Sequence, residues 1–336
     1  MDILHESGSA FRYASHDLIR WSRLREQSTL IIKLSTNYEH PLARQTPGGK
    51  SVWKDAVFVI NAVAQDCDAW VVHEGLMRID STHCDPSRVV LFTGEPPDIK
   101  TYKSSWLSQF ARVITCQPSL SHPRLDLAQT SLPWFVGRSY DELTAADFPA
   151  KTDDISVICS NKAMIGGHRR RLRFVEQLLE LSPMPRFGRG FRDLPDKWDG
   201  LAPFRYSVAV ENSRHDHYWT EKIADCFLAG TVPIYWGAPN IKEYFPEEAM
   251  IVIDTLDPAE VARIIKAEAT PEAYQRRLPA LREAKRRVLE EYNLFEAAYQ
   301  MAKAGNSKAP AVPVTLSPER RSRAYGWYLR IKRMFS

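Results

Sequence analysis

Between Glu211 and Trp219 one loop carries a carboxylate, an amide, a guanidinium, imidazoles and aromatic rings in the run ENSRHDHYW. A simple connection needs none of these groups. Its flanks say where the loop sits. Phe204 to Val210 is β-branched and aromatic with the alternation of a buried strand. Thr220 has the side chain of a helix N-cap, and Ile223, Ala224, Phe227 and Leu228 recur at helical spacing. Gly230 supplies the stop, and Val232 to Trp236 reads as the next strand. The polar groups therefore gather at a strand-to-helix junction, where a parallel α/β unit places its ligand site. The helix opens with Glu221 and Lys222, so free N–H groups and a cation together suit an anionic, hydroxyl-rich ligand.

Each of these groups has a plainer role to set beside the chemical one. Lys222 can share a phosphate with the helix terminus or be a solvated helix lysine. Glu221 can accept hydrogen bonds from a diol or serve as a helix N-terminal acid. Glu211 and Asn212 end a strand where ligands are held, though Asn212 also suits a turn, and Tyr218 can lie along a nucleotide or fill the core. Arginines follow Gly166 and Gly167 at another helix start, and the sequence alone leaves Arg169, Arg170 and Arg171 open as anion contacts. Glu95 follows the strand Val89 to Phe92 and the turn Thr93-Gly94, and Pro96-Pro97 stiffens the exit of its loop. The Asp66-Cys67-Asp68 triplet precedes the strand Ala69 to Val72 instead of ending one, so it reads as a structural or acceptor-side feature and not a metal pair. His215 and His217, with Asp216 between them, make a thin metal set.

At these positions the chain resembles a known family. ENS at 211–213, TEK at 220–222, LAGTVPIYWG at 228–237 and Pro239 look like the donor-binding signature of the α-1,3/4-fucosyltransferases, glycosyltransferase family 10. FTGEPPDIKTY at 92–102 and LPWFVG at 132–137 extend the likeness, which covers most of Leu30 to Asp254. The resemblance implies an α/β protein of the glycosyltransferase B architecture, two Rossmann-like domains with parallel sheets facing a cleft. It implies inverting transfer of fucose from GDP-fucose to a hydroxyl of an oligosaccharide or lipid-linked glycan, in α-1,3 or α-1,4 linkage. It further implies Glu95 as general base and Arg171, three residues before Phe174, on the diphosphate. Such a transfer needs a base and compensation for charge growing on the leaving diphosphate. A second carboxylic acid, as glycosidases use, is unnecessary because the diphosphate already leaves well. With Lys222, Arg171 and a helix terminus available for that charge, no metal cofactor is expected. Two rivals remain: the same architecture with another nucleotide sugar, and a non-catalytic glycan- or membrane-binding protein on a transferase scaffold.

The rest of the chain must position these residues. At 336 residues there is room for two domains of about 130 residues, and 44% hydrophobic against 26% charged residues is ordinary for a globular protein. Strands are expected at Thr29–Leu34, Val57–Ala64, Ala69–Val72, Val89–Phe92 and Val113–Cys116, alternating with helices and turns as in an open parallel sheet. The expected division is a leader at 1–28, an acceptor-side domain at 29–145, a donor-binding domain at 146–305, and a Pro-containing tether with a basic tail at 306–336. Ser139 to Asp154 reads as the interdomain linker. Pro258–Lys266 and Pro271–Lys303 read as helices, and Ser307–Pro318 as a flexible tether.

Five scattered cysteines favour buried reduced thiols over a disulfide framework. The N-terminus has acidic residues and no apolar core, unlike a secretory signal. In residues 318–336, Arg320, Arg321, Arg323, Arg330, Lys332 and Arg333 interleave with Tyr325, Trp327, Tyr328 and Phe335. That pattern suits a membrane surface, and with no recognition module beside it nucleic acid is not expected. The expectation is thus a bacterial, cytoplasmic protein, peripheral on the inner face of the membrane.

Overall fold

A computed structural model describes residues 30–161, 166–304 and 309–319. The leader 1–28 and the basic run 320–336 lie outside the described residues.

The first sheet is built from β1 (Leu30–Thr36), β2 (Val52–Trp53), β3 (Ala56–Ile60), β4 (Ala69–His73), β6 (Val89–Phe92), β7 (Arg112–Thr115) and β8 (Leu125–Leu127); β5 (Asp80–Cys84) stands outside it. Its order is β2-β3-β1-β4-β6-β7-β8, and every pairing is parallel except that of the edge strand β2. Alternate side chains leave on opposite faces. Ile31, Trp70, Val72 and Leu91 join one core, while Ile32, Leu34, Phe58 and Val71 join another. The chain winds away from β1 in both directions, first to β3 and then to β4. That reversal opens a crevice at the C-terminal ends of β1 and β4.

The second sheet repeats the scheme with β9 (Asp153–Ile158), β10 (Arg186–Phe187), β11 (Phe204–Val210), β12 (Val232–Trp236) and β13 (Ile251–Val252) in the all-parallel order β10-β9-β11-β12-β13. Its reversal lies between β9 and β11, so its crevice opens beside Glu211 and Asn212. Two such sheets make the glycosyltransferase B architecture expected from the sequence.

Three expectations need correction. The linker 139–154 contains a helix, α2 (Tyr140–Ala145), after the short α1 (Ser104–Leu107) of the first domain. Ser139 and Glu142 close a capping box there, and Leu143 is buried. Pro271–Lys303 is two helices. In chain order the later helices are α3 (Gly166–Leu181), α4 (Glu221–Leu228), α5 (Pro258–Glu268), α6 (Pro271–Glu290) and α7 (Leu294–Ala304). Between α6 and α7, Asn293 accepts from the Phe295 N–H at 2.9 Å and donates to the Gln45 carbonyl at 3.0 Å. This turns α7 back, so that Leu294, Phe295 and Ala298 complete the core under the first sheet. The expected tether is a strand, β14 (Val312–Leu316), antiparallel to β5. Its Pro313 is tolerated because this sheet has only two strands and each of them is an edge.

Candidate active site

The donor-side crevice is assembled by the close approach of two backbones. A Cβ on Gly167 would sit 1.9 Å from the Asn212 carbonyl oxygen, so only glycine lets the start of α3 press against the end of β11. That contact delivers Arg171. Its Nη1 donates to Asn212 Oδ1 at 2.8 Å, and the residue is 8% exposed. Arg169 and Arg170 face outward, with Arg170 over the Trp236 ring at 5.0 Å. The three arginines the sequence left open are thus separated: Arg171 is buried against Asn212, while Arg170 lies at the end of β12 and its charge reaches Asp98 of the first domain.

Thr220 caps α4 as expected and is itself held by Glu211, which accepts from the Thr220 N–H at 2.9 Å and from its hydroxyl at 2.8 Å. Lys222 Nζ completes the knot, 3.0 Å from Glu211 Oε2 and 3.0 Å from the Thr220 hydroxyl. The Glu211 side chain is 0% exposed and the Lys222 side chain 18%. Glu211 therefore holds the helix start and its lysine, and its carboxylate does not line the crevice surface. Burial raises its pKa and Lys222 opposes the rise.

Glu221 points the other way around α4. Its Oε1 is 3.4 Å from Lys197 Nζ and 3.5 Å from Lys222 Nζ, and Lys197 also meets Asp225 at 3.0 Å. Burial alone would raise the pKa of Glu221, but Lys222 and Lys197 hold it well below the carboxylate range. Lys197 and Asp225 were missed in the sequence. The Asp225 carboxylate accepts from the N–H groups of Phe135 and Val136 at 2.8 and 3.2 Å, and Asp196 accepts from that of Gly137 at 2.8 Å. The LPWFVG run was the available signal: it straps the first domain to the donor helix.

Across the cleft stands Glu95, 8% exposed. Gln117 Nε2 donates to the Glu95 carbonyl at 2.7 Å and to the Lys100 carbonyl at 2.9 Å, closing the loop between them. Glu74 ends the neighbouring strand β4 with a left-handed backbone, φ 63°. A Cβ on Gly94 would lie 2.1 Å from Glu74 Oε1, so glycine there makes room for this second carboxylate beside Glu95. Loops at the ends of the two sheets also approach each other here. His215 Nε2 lies 3.0 Å from Asp98 Oδ2. Tyr218 is buried, and burial together with Glu211 and Glu95 raises its hydroxyl well above its ordinary range. The ring thus lies within reach of carboxylates from both domains.

The remaining polar candidates have structural partners. Asp68 Oδ2 accepts from the Ile31 N–H at 2.7 Å, and Asp66 bridges to the His83 backbone. His217 Nδ1 meets the Tyr244 hydroxyl. All five cysteines are free and buried. Among the described residues no group of three or more His, Cys, Asp or Glu is arranged to hold a metal ion, and no helix is long and apolar enough to cross a membrane.

Residues 148–279, which span α3, β11, α4 and β12, match the family described as "Glycosyltransferase family 10 (fucosyltransferase) C-term". Over that segment the chain is similar to glycosyltransferase family 10. Relatives of this chain include the Helicobacter pylori alpha-(1,3)-fucosyltransferase FucT, 33% identical over 63 residues, 18% of this chain and 13% of the relative. The chicken GDP-fucose protein O-fucosyltransferase 3 is 37% identical over 68 residues, 20% of this chain and 14% of the relative. The Arabidopsis thaliana alpha-(1,4)-fucosyltransferase is 28% identical over 127 residues, 31% of each chain. In each, the matched stretch is less than a third of the relative's length. Plants, vertebrates and a bacterium all appear, so the matches single out no bacterial subgroup. Among solved structures, an alpha1,3-fucosyltransferase with GDP aligns over 91% of this chain and 94% of that one, at a TM-score of 0.49 and 16% identity.

Proposed function

We propose that this chain transfers fucose from GDP-fucose to a hydroxyl of a glycan acceptor, with inversion at the anomeric carbon. The acceptor oxygen attacks that carbon while its proton passes to Glu95, and the bond to the GDP oxygen breaks. Arg171 and Lys222 meet the growing negative charge, helped by the N–H groups opening α4. The observation that carries this reading is one geometry: the matched family segment presents Arg171, Asn212 and Lys222 at the β9/β11 crevice, while Glu95 stands at the facing strand ends. Glu221, between two lysines, suits sugar or ribose hydroxyls, and Glu211 acts through Thr220 and Lys222. The charge on the diphosphate is met by protein cations, so the transfer proceeds without metal. Other nucleotide sugars are the second reading, because these contacts address the diphosphate and sugar more than the base.

The test is release of nucleoside diphosphate from a panel of nucleotide sugars, with and without EDTA. GDP-fucose should be turned over fastest, with most activity left after chelation. Preference for a UDP-sugar would overturn the donor, and complete loss restored by manganese would overturn the metal-free step. No turnover of any donor would favour a binding protein.

The peripheral-membrane setting rests on the basic, aromatic run 320–336. Removing 320–336, and not Glu319, should shift the protein from membranes to the soluble fraction with GDP release unchanged. Continued sedimentation with membranes would refute the anchoring role.

A further inference from the structure

Lys100 is 8% exposed, five residues beyond Glu95, in a loop whose two ends Gln117 ties together. Its Nζ lies 3.9 Å from the centroid of the Tyr102 ring and 3.2 Å from Glu319 Oε2. Glu319 is itself fixed, its Oε1 accepting from the Lys103 N–H at 2.9 Å. The segment before it is fixed too. Trp106 Nε1 donates to the Ser317 carbonyl at 2.8 Å, and the Ser317 N–H donates to Gln109 Oε1 at 2.8 Å. The segment leaving β14 of the β5/β14 sheet therefore docks on the loop and helix that follow Glu95. A buried ammonium is costly unless anions face it. Those acting on Lys100 are Glu319, Glu74 and Glu95, which offset the downward pull of burial on its pKa.

We infer that Lys100, held by Glu319, is a positioning residue that keeps Glu95 ionised and in place as the base. The inference rests on the reading of Glu95 above. The Tyr102 ring under Lys100 also accepts, through its hydroxyl, from the Glu95 N–H at 3.4 Å, so cation and carboxylate share one side of the loop. A nearby cation favours the charged form of a carboxylate, and a base must be ionised to accept the acceptor's proton. The other titratable groups facing this cluster are Tyr38 beside Glu74, and Cys116 and Tyr218 beside Glu95. Burial pushes Cys116 up to about 12 and raises both tyrosines well above their ordinary range, so all three stay neutral across the working range. Glu319 divides the charge of Lys100 with the two active-site carboxylates. Its removal should therefore act in the direction opposite to removal of the lysine.

The experiment measures GDP release from GDP-fucose, with water as acceptor, between pH 5 and 9. Variants are Lys100→Met, Lys100→Arg, Glu319→Gln and Glu95→Gln, with GDP affinity measured by calorimetry. Lys100→Met should move the acid limb up by about one pH unit, roughly a tenfold loss on the acid side, with GDP affinity unchanged. Lys100→Arg should restore the limb, and Glu319→Gln should move it down. If Lys100→Met does not fold, the sign of the Glu319→Gln shift decides alone. Rates that fall evenly at every pH with the limb unmoved would make the cluster mere packing and overturn the inference. A Glu95→Gln variant with a normal rate and limb would remove the base assignment and this inference together.

Discussion

The two strand-end crevices are organised on opposite principles. On the donor side the carboxylates are already matched, Glu211 by Lys222 and Thr220, Glu221 and Asp225 by Lys197, while Arg171 meets the neutral amide of Asn212. Such a mesh costs little to reorganise when a diphosphate arrives, because its cations are held in position before binding. The acceptor side concentrates carboxylates. Glu74 and Glu95 stand on adjacent strand ends with one buried lysine shared between them and Glu319. Under the proposed function, recognition is served by cations held in place and rigidity, and proton transfer by an excess of negative charge. Damage to the first crevice should appear in affinity and stability, and damage to the second in rate.

The sharpest way to break that contrast is Glu95→Gln, which is nearly isosteric. It should slow turnover by roughly 10² to 10⁴-fold while GDP-fucose affinity by calorimetry stays close to that of the parent. Near-normal turnover would dismiss Glu95 and make Glu74 the next carboxylate to replace. Lys222→Ala probes the opposite side. It leaves Glu211 buried without its cation, so a stability loss of about 3 kcal/mol is expected in denaturant unfolding, together with weakened donor binding. Unchanged GDP-fucose affinity would place the diphosphate elsewhere.

Gly167→Ala asks whether the donor crevice depends on backbone contact. The added methyl would collide with the Asn212 carbonyl oxygen, so stability should fall by about 1–3 kcal/mol. Donor affinity should drop with Arg171 and Asn212 pushed apart. Unfolding at the parental midpoint with full affinity would mean that α3 slides without consequence.

The mildest effect concerns His40, whose ring donates to the Trp134 carbonyl at 3.0 Å beside the strap between the domains. Burial, then Arg44, lowers its pKa from 6.5 to about 4, against the pull of that carbonyl. The unfolded chain therefore binds the extra proton between those values. This contribution to stability is full above about 6.5 and is lost as pH falls towards about 4. His40→Gln should flatten thermal midpoints across that window. An unchanged slope would assign the acid sensitivity to another group.

Much of the donor side was legible because its chemistry lies on one continuous run, where the cap at Thr220, the stop at Gly230 and the strand pattern of Phe204–Val210 are all local signals. Arg171 could be separated from its neighbours only by the packing of Gly167 on Asn212, a contact between distant segments. Lys197, Lys100 and Glu319 were invisible for the same reason. A lysine in a polar loop and a glutamate before a basic run look solvated until the topology brings their partners. The tether was misread because three prolines outweighed the β-branched residues of VPVTL, which pair once β5 offers an edge. The helix in the linker had its capping box in plain view, and Pro149 drew attention away from it.

The return of α7 beneath the first sheet has a consequence for how such a chain can be cut and recombined. The N-terminal lobe is discontinuous: strands from Leu30 onward need Leu294, Phe295 and Ala298 to cover Ile32, Leu34 and Phe58, and β5 needs β14. A fragment ending near residue 145 would therefore carry a bare apolar face and an unpaired strand, and should aggregate on expression. The donor lobe behaves instead as an insert, entering and leaving through neighbouring points of its host. Under the proposed function, exchange of nucleotide-sugar specificity between such proteins amounts to swapping an internal cassette, from about the end of α2 to Asn293, with both borders spliced at once.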